Sequence, residues 1–175
     1  MTHNADLIRS LVRDVPNFPK PGIIFKDITP ILANPQGLTA AIDALCAPFM
    51  QRGITRVAGM EARGFIFGVP VAERLGAGFV PIRKPGKLPA ATHHYEYELE
   101  YGTDALEIHR DAAGPNDKVL IVDDLLATGG TAAAAIQLVQ QTGAQVMGLS
   151  FLIELDFLQG RNKLEGFSIS SLIHY

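Results

Sequence analysis

The sequence predicts an α/β fold with three layers, in which helices cover both faces of a parallel sheet. Strand and helix patterns alternate over residues 56–82 and again over residues 118–152, and each series is typical of a βαβ unit. The predicted strands are apolar along their whole length, as expected for strands buried on both faces. With 175 residues, 47% of them apolar, the chain is long enough to bury one core, and we expect a single domain.

The first part of the chain is predicted to hold two helices separated by an irregular segment. Asn4 is expected to cap a short amphipathic helix. The segment FPKPGIIFKDITP (18–30) contains three prolines and one glycine, so regular structure is not expected there, and residues 23–25 are expected to anchor it on a core. An apolar stripe then predicts a helix from about Pro35 until Gly53 ends it.

The first βαβ unit is predicted from strands at 56–60 (RVAGM) and 78–82 (GFVPI), joined by the turn EARG and a helix over 65–75. Residues 83–94 are basic, aperiodic and rich in Pro, Gly and Ala, which predicts a mobile loop. Residues 95–101 then alternate aromatic or apolar side chains with glutamates, so we expect a strand, with residues 105–108 as its hairpin partner.

The second βαβ unit begins with the strand KVLIV (118–122). A Gly-rich turn, an Ala-rich helix over 131–141 and a further strand over 146–152 follow it.

Composition and charge exclude several classes of function. The net charge of −3 argues against bulk nucleic-acid binding. No apolar run is long enough for a membrane span, and the N-terminus does not resemble a signal peptide, so we expect no membrane partner and a cytoplasmic protein. The single cysteine, Cys46, excludes an internal disulfide and a multi-cysteine zinc site, and we interpret it as a buried, inert thiol.

The segment VLIVDDLLATGGTA (119–132) carries the clearest functional signal. A buried strand leads into two carboxylates, a short loop, Thr-Gly-Gly-Thr and a helix, and ligands of parallel α/β sheets bind at this end of the strands. Gly129 and Gly130 allow close approach of the backbone, and the helix offers free amides and the positive end of its dipole, as a phosphate requires. Asp123 and Asp124 are acceptors suited to the two hydroxyls of a ribose 5-phosphate.

Simpler explanations exist for each part of this segment, because a Gly-Gly turn before a helix and an aspartate at a strand end are both common. The combination of the two features in one segment favours the interpretation as a ligand-binding site. The segment is not a nucleotide P-loop, because the Lys-Ser/Thr pair is absent, and it lacks the G-x-G-x-x-G spacing of a dinucleotide site.

The segment VLIVDDLLATGGTA resembles the signature of the type I phosphoribosyltransferases, which use phosphoribosyl pyrophosphate, and the rest of the chain is similar to the adenine-specific members of that family. The similar blocks, in family order, are FPKPGIIFKDITP (18–30), GMEARGFIFG (59–68), IRKPGKLP (82–89), LEYG (99–102), LEIHRDA (106–112) and ELDFLQGRNKL (154–164). The resemblance implies the type I fold, with a small N-terminal hood that binds the base (about 1–34) and a core (about 35–175) with a mobile catalytic loop (about 83–102).

The resemblance also implies an activity of purine salvage, in which a 5-phosphoribosyl group passes to N9 of adenine and gives AMP and pyrophosphate. It implies Mg²⁺ bound with phosphoribosyl pyrophosphate, no metal held by the protein itself, and a homodimer.

The resemblance assigns roles to individual residues. Arg63 lies at the pyrophosphate loop and counts with the catalytic groups, Glu100 is the expected general base, and Tyr101 is its neighbour in the mobile loop. Lys26 stands where other members carry Arg, and a lysine does not make the bidentate contact that an arginine makes. The implied binding residues are Asp123, Asp124, Ala127, Thr128, Gly129, Gly130 and Thr131 for ribose and 5′-phosphate, Arg63, Lys84 and Lys87 for pyrophosphate, and Ile24, Phe25 and Lys26 for adenine.

Purely structural roles for these residues are also compatible with the sequence. Glu100 fits the solvent side of an alternating strand, Tyr101 fits a packing position, and Lys84 and Lys87 fit a solvated basic loop. His93 and His94 lie in the predicted loop without a third ligand, so no zinc site is expected.

Three other functions compete with adenine phosphoribosyl transfer. One is the same transfer to another base, and the 22–27 and 99–102 blocks argue against it. Another is a regulator that binds phosphoribosyl pyrophosphate without chemistry, which would lack Arg63 or the loop glutamate. The third is a phosphorylation receiver domain, whose acidic pair should lie near the first strand and not at position 123.

Overall fold

The computed structural model describes residues 2–98 and 102–175. The chain divides into two compact units, residues 1–44 and residues 45–175. The first contains a two-stranded antiparallel sheet and helices, and the second contains a five-stranded parallel sheet, a separate hairpin and helices. An α/β fold on a parallel sheet is therefore confirmed.

Residues 1–44 form three helices and a strand pair. Two ion pairs join the strands: Arg13 Nε donates to Asp27 Oδ2 at 2.9 Å and Lys26 Nζ donates to Asp14 Oδ1 at 2.8 Å. The elements are α1 (Thr2–Leu11), β1 (Arg13–Pro16), antiparallel β2 (Ile24–Asp27), α2 (Thr29–Ala33) and α3 (Pro35–Cys46), whose last residues enter the second unit.

Three expectations for this unit are wrong. Asn4 lies inside α1 and does not cap it. The segment 18–30 contains all of β2 and the start of α2, because β1 supplies hydrogen-bonding partners that the local sequence does not reveal. Ile23 and Ile24 are 45% and 58% exposed, so they do not anchor the segment on the core.

The third helix begins as predicted and ends earlier. The Asn34 side chain accepts a hydrogen bond from the Gly37 N–H at 2.8 Å, which caps α3 at its predicted start. The helix ends at Cys46, and a single 3₁₀ turn (Ala47–Phe49) follows it. Pro48 has no N–H to continue the α-helical ladder, so the helix does not reach Gly53.

The second unit is built on a parallel sheet with the strand order β4-β3-β7-β8-β9. The predicted bounds of β3 and β4 are confirmed, and β7 runs four residues beyond its prediction, so that Asp123 and Asp124 belong to the strand itself. The strands are β3 (Arg56–Met60), β4 (Gly78–Ile82), β7 (Lys118–Leu126), β8 (Gln145–Glu154) and β9 (Ile169–His174).

Helices cover both faces of this sheet. The helix α5 (Gly130–Gln141) buries three of its four alanines and Leu138 in one apolar cluster with residues of β3, β4, β7 and β8. The helix α4 (Arg63–Leu75) contacts β3, β7 and β4 and buries Phe67 and Val71, which lie outside that cluster. The βαβ connections therefore place the N-termini of α4 and α5 at the carboxyl edge of the sheet.

An antiparallel hairpin of β5 (Thr92–Glu98) and β6 (Thr103–His109) packs against α5. The alternation over 95–101 predicted this strand, and its pairing with residues 105–108 is confirmed. The strand begins earlier than expected, so His93 and His94 lie on β5 and not in a loop, because β6 continues the ladder to Thr92 and His109.

The last strand, β9, was not predicted, because ISSLIH alternates too many polar residues for a buried strand and pairs only at one edge of the sheet. None of the helices within residues 2–98 and 102–175 combines the length and apolarity that a membrane span requires.

Candidate active site

A cavity of about 420 Å³ opens at the carboxyl edge of the sheet, where β3 and β7 end side by side. Helices α4 and α5 begin at its rim, and the hairpin β5–β6 closes one wall. The lining residues are Met60 to Arg63, Lys84, Tyr97, Asp104, Leu106, Asp123 to Ala132 and Phe151.

The loop between β7 and α5 is fixed in a shape that only glycine permits. Gly129 has a φ of +78°, and a Cβ placed there would lie 2.3 Å from the carbonyl oxygen of Gly160. A Cβ on Gly160 would in turn lie 2.2 Å from the carbonyl oxygen of Ala127. The loop and the segment after β8 thus touch backbone to backbone. The first residues of the 12-residue helix α5 line the cavity, and a helix start of this kind offers free amides to an anion.

The two adjacent aspartates of β7 are held in an environment that disfavours their charge. Burial raises the pKa of Asp123 well above its ordinary value, and the neighbouring charge of Asp124 raises it further. Burial also raises the pKa of Asp124, while the Arg63 guanidinium counteracts that rise. Asp124 is only 4% exposed, and its N–H donates to Asp123 Oδ1 at 2.9 Å. Two such carboxylates gain most from a ligand that donates hydrogen bonds or carries positive charge.

Arg63 is the first residue of α4 and reaches across the cavity floor to β7. Its Nε lies 2.9 Å from Asp124 Oδ2. The helix start comes this close because Gly59 and Gly64 lack side chains: a Cβ on Gly59 would lie 2.8 Å from the Gly64 oxygen, and one on Gly64 would lie 2.9 Å from Asp123 Oδ1. The peptide bond between Glu61 and Ala62, in the turn before Arg63, is cis.

A chain of four polar side chains crosses the cavity wall. Lys84 Nζ donates to Asp104 Oδ2, which also accepts a hydrogen bond from Tyr97 OH at 3.2 Å. The same hydroxyl lies 3.3 Å from Thr131 Oγ1, at the start of α5. Burial by itself raises the pKa of Asp104, but the hydrogen bonds from Lys84 and its neighbours outweigh it and leave the pKa lowered. Burial raises the pKa of Tyr97, so this hydroxyl stays protonated.

Most residues predicted for ribose and phosphate recognition line this one cavity. They are Arg63, Lys84, Asp123, Asp124, Ala127, Thr128, Gly129, Gly130 and Thr131. Lys87 is exposed and is not part of the described lining. Ile24, Phe25 and Lys26 lie on β2 in the first unit, and Glu100 and Tyr101 lie outside the described residues.

Sequence reasoning missed four participants in the cavity. Glu61 accepts hydrogen bonds from Arg83 Nε at 2.9 Å and from the Lys84 N–H at 3.0 Å, and so fixes the start of the loop after β4. Gly160 touches the loop between β7 and α5 at Gly129, and nothing local in its sequence indicates a contact 31 residues away. Tyr97 and Asp104 are opposite one another in the hairpin register. The alternation pattern would reveal this pairing only if the position of the turn between the two strands were also known.

Among the described residues, one cluster has the geometry of a possible metal site, formed by Glu154, Asp156 and His174. Glu154 is already engaged by Arg161 through two hydrogen bonds of 2.7 and 2.8 Å. The carboxylates of the cavity, Asp123 and Asp124, are the groups better placed to meet a cation that arrives with an anionic ligand.

Residues 27–165 match the family described as phosphoribosyl transferase domain. Adenine phosphoribosyltransferase of Francisella philomiragia is 58% identical over 174 residues, which cover 98% of this chain and 99% of that protein. The crystal structure of adenine phosphoribosyltransferase from Rhodothermus marinus superposes with a TM-score of 0.95 at 50% identity and covers all of both chains. The Saccharomyces cerevisiae enzyme, solved with an imino-altritol bisphosphate and adenine, superposes with a TM-score of 0.93 at 43% identity. The match covers 98% of this chain and 99% of that one.

Proposed function

The chain belongs to the phosphoribosyltransferase family, and from that premise we propose how its cavity transfers the 5-phosphoribosyl group of phosphoribosyl pyrophosphate to N9 of adenine. Adenine phosphoribosyl transfer, a reaction of purine salvage, is its activity. The observation that carries the mechanism is the joining of Asp123 and Asp124 to the loop 127–131 in one cavity.

The loop 127–131 binds the 5′-phosphate. The amides at the start of α5 donate to its oxygens, helped by the helix dipole and by the hydroxyls of Thr128 and Thr131. Asp123 and Asp124 accept hydrogen bonds from the two ribose hydroxyls. This pairing is supported by the raised pKa values of both carboxyls, because donors from the sugar stabilise their charged forms.

Arg63 and Lys84, which both line the cavity, bind the pyrophosphate, and the exposed Lys87 follows three residues later in the same loop. Arg presents a planar fork of donors, whereas Lys contributes a compact charge. These local cations allow a chain with a net charge of −3 to hold a strongly anionic group.

Mg²⁺ accompanies phosphoribosyl pyrophosphate, as is general for type I phosphoribosyltransferases. The oxygen donors of Asp123 and Asp124 fit such an ion, which typically keeps several waters and takes one or two carboxylates together with substrate oxygens. When bound, the ion supplies positive charge to the leaving pyrophosphate. In this chain Arg63 supplies charge from the protein side.

The base is read by the N-terminal segment, through backbone groups at Ile24, Phe25 and Lys26. Adenine presents an acceptor at N1 and a donor at N6, and a backbone N–H and C=O match this pair, whereas 6-oxopurines reverse the polarity at position 6. In the transfer, the C1′–O bond to pyrophosphate breaks and the C1′–N9 bond forms. Glu100 accepts the N9 proton, and Tyr101 is its neighbour in the sequence.

The enzyme acts as a cytoplasmic homodimer in this proposal. Helix α4 exposes Ile66 and Val69, which lie one turn apart and are 41% and 51% exposed, and a second copy would cover this apolar strip. The single buried thiol of Cys46 is consistent with a reducing compartment. Sedimentation of the purified chain should give the mass of two copies.

The decisive experiment offers adenine, hypoxanthine, guanine and xanthine separately, each with phosphoribosyl pyrophosphate and Mg²⁺, and measures nucleotide formation. We expect AMP from adenine and a rate at least 10³-fold lower with each 6-oxopurine, because a reversed donor and acceptor leave buried groups unpaired. Preferred reaction with an oxopurine would assign the chain to a different base. Binding of phosphoribosyl pyrophosphate with no product from any base would assign it to a regulator.

A further inference from the structure

The cations that face the cavity are matched, one by one, with carboxylates of the chain. Arg63 pairs with Asp124, and Lys84 pairs with Asp104. Arg83, next to Lys84, pairs with Glu61 at 2.9 Å. An anionic ligand therefore enters a site whose positive charges already have partners, and must compete with those partners for them.

Asp104 differs from the other two carboxylates. Asp124 stands beside the sugar-binding position and Glu61 also accepts the backbone N–H of Lys84, so each has a second task in the site. Asp104 lies on β6, outside the phosphate loop and the sheet edge, and projects a negative charge into a cavity built for anions. Its pKa is lowered, so it carries that charge at neutral pH.

We infer that Asp104 is an internal counter-ion that competes with pyrophosphate for Lys84 and so sets how tightly the enzyme holds that group. The inference rests on the proposed role of Lys84 in pyrophosphate binding. In the ligand-free chain Asp104 forms an ion pair with the ammonium group of Lys84. When pyrophosphate binds, its oxygens replace Asp104 at this ammonium group, and when pyrophosphate leaves, the ion pair forms again.

The contacts of Asp104 show how the exchange proceeds without leaving the carboxylate unpaired. Tyr97 OH donates to Asp104 Oδ2 at 3.2 Å, and the N–H of Ala105 donates to Oδ1 at 2.9 Å. Both donors remain when Lys84 turns to the ligand. Since Tyr97 lies directly opposite Asp104 in the hairpin register, the hairpin itself provides the alternative partner. Such an exchange weakens product binding without altering the groups that contact the sugar.

The test substitutes Asp104→Asn, which removes the charge and keeps one acceptor oxygen for the N–H of Ala105, while the side-chain NH2 faces Tyr97 OH, an oxygen that can accept from it. We expect the dissociation constant of pyrophosphate, titrated calorimetrically with Mg²⁺, to fall by about 2- to 5-fold, the range of a partly exposed ion pair. The dissociation constant of AMP should not change, because AMP has no pyrophosphate group. In steady state the KM for phosphoribosyl pyrophosphate should fall while kcat stays equal or decreases.

Two variants complete the design. Asp111→Asn removes one exposed negative charge from the turn after β6, outside the described cavity lining, and should leave both constants unchanged. Lys84→Met should weaken pyrophosphate binding, and adding Asp104→Asn to it should have no further effect, because the competed cation is gone.

Each other result has a definite meaning. If Asp104→Asn leaves pyrophosphate binding unchanged or weakens it, while Lys84→Met weakens it, the counter-ion inference is wrong and the proposed function stands. Equal tightening of AMP and pyrophosphate would also overturn the inference, because the effect would then be a general one of cavity charge. If Lys84→Met leaves pyrophosphate binding intact, the proposed role of Lys84 fails, and the inference with it.

Discussion

Arg63 Nε lies 2.9 Å from Asp124 Oδ2, so the first residue of α4 is tied to the end of β7 across the floor of the cavity. The contact links two parts of the proposed site, the pyrophosphate position and the sugar position. The guanidinium counteracts the rise in the pKa of Asp124 that burial causes, and the carboxylate keeps the guanidinium facing the cavity.

Replacing Arg63 with Ala should reduce kcat/KM for phosphoribosyl pyrophosphate by about 10²-fold or more, because two charged contacts are lost at once: the one to pyrophosphate and the one that supports Asp124. Steady-state kinetics with adenine at saturation measures this. Arg56→Ala is the matched control, since Arg56 begins the same strand, β3, at the opposite edge of the sheet and pairs with Asp117 at 3.6 Å. Comparable losses in the two variants would show that the effect is one of folding and not of the site.

Replacing Asp123 with Asn should weaken the binding of phosphoribosyl pyrophosphate by about 10- to 100-fold and at the same time stabilise the fold. The first effect comes from the lost charged acceptor for a sugar hydroxyl. The second arises because burial and the Asp124 charge raise the pKa of Asp123, so its ionisation costs folding free energy at neutral pH. Asn still accepts the hydrogen bond from the Asp124 N–H.

The stabilising effect of Asp123→Asn should depend on pH. A carboxyl whose pKa is raised on folding contributes its stability below the pKa of the unfolded chain, near 4, and loses it as the pH rises toward the folded value. The unfolding free energies of wild type and Asp123→Asn should therefore coincide near pH 4 and diverge above it. At neutral pH the unfolding free energy of the variant should be higher by an amount on the order of 1–3 kcal/mol. A variant less stable than wild type at pH 7 would contradict the assignment.

The sheet and the phosphate loop could be predicted from the sequence because their signals are local. Apolar runs such as 118–122 indicate buried strands, and Gly129 and Gly130 mark a tight turn before a helix. The strand β2 and the Asp104–Lys84 pair could not be predicted in this way. The first depends on β1 as its partner, and the second depends on the hairpin register and on where the loop after β4 lies. The proposed general base, Glu100, lies outside the described residues and stays a prediction.

Replacing Gly129 with Ala should destabilise the phosphate loop and abolish most activity. A Cβ at this position would lie 2.3 Å from the Gly160 oxygen, and the residue also has a positive φ of +78°. Gly76→Ala is the control, because Gly76 has a φ of +67° with no atom within 4 Å of the added Cβ. We expect Gly76→Ala to cost about 1 kcal/mol from backbone strain alone and to keep full activity.

The difference between the two glycine variants isolates the clash. The loop must move away from Gly160 to admit the methyl group of Gly129→Ala, so the cost should exceed that of Gly76→Ala by about 1–3 kcal/mol in chemical denaturation. The affinity for AMP should fall in Gly129→Ala only. Equal affinities in the two variants would show that the contact between Gly129 and Gly160 does not shape the phosphate site.

Replacing Arg161 with Met should destabilise the chain at neutral pH through Glu154. The guanidinium of Arg161 holds both carboxylate oxygens of Glu154, which is 4% exposed, at 2.7 and 2.8 Å. Burial alone raises the pKa of Glu154, but the Arg161 hydrogen bonds prevail and lower it. Breaking the pair leaves a buried charge with less support, and we expect a loss of about 1–3 kcal/mol, reduced from the value for a fully buried pair because Arg161 is partly exposed.

Low pH should remove the difference in unfolding free energy between wild type and Arg161→Met. A carboxyl whose pKa is lowered on folding stabilises the fold above the pKa of the unfolded chain, and that contribution is lost as the pH falls through the folded value. The unfolding free energies of wild type and Arg161→Met should therefore differ at pH 7 and converge below about pH 4. Asn162→Ala, at the next position, removes only an exposed hydrogen bond to Gln159 and should show neither effect. A difference for Arg161→Met that persists at low pH would assign the loss to packing of the arginine stem and not to the charge of Glu154.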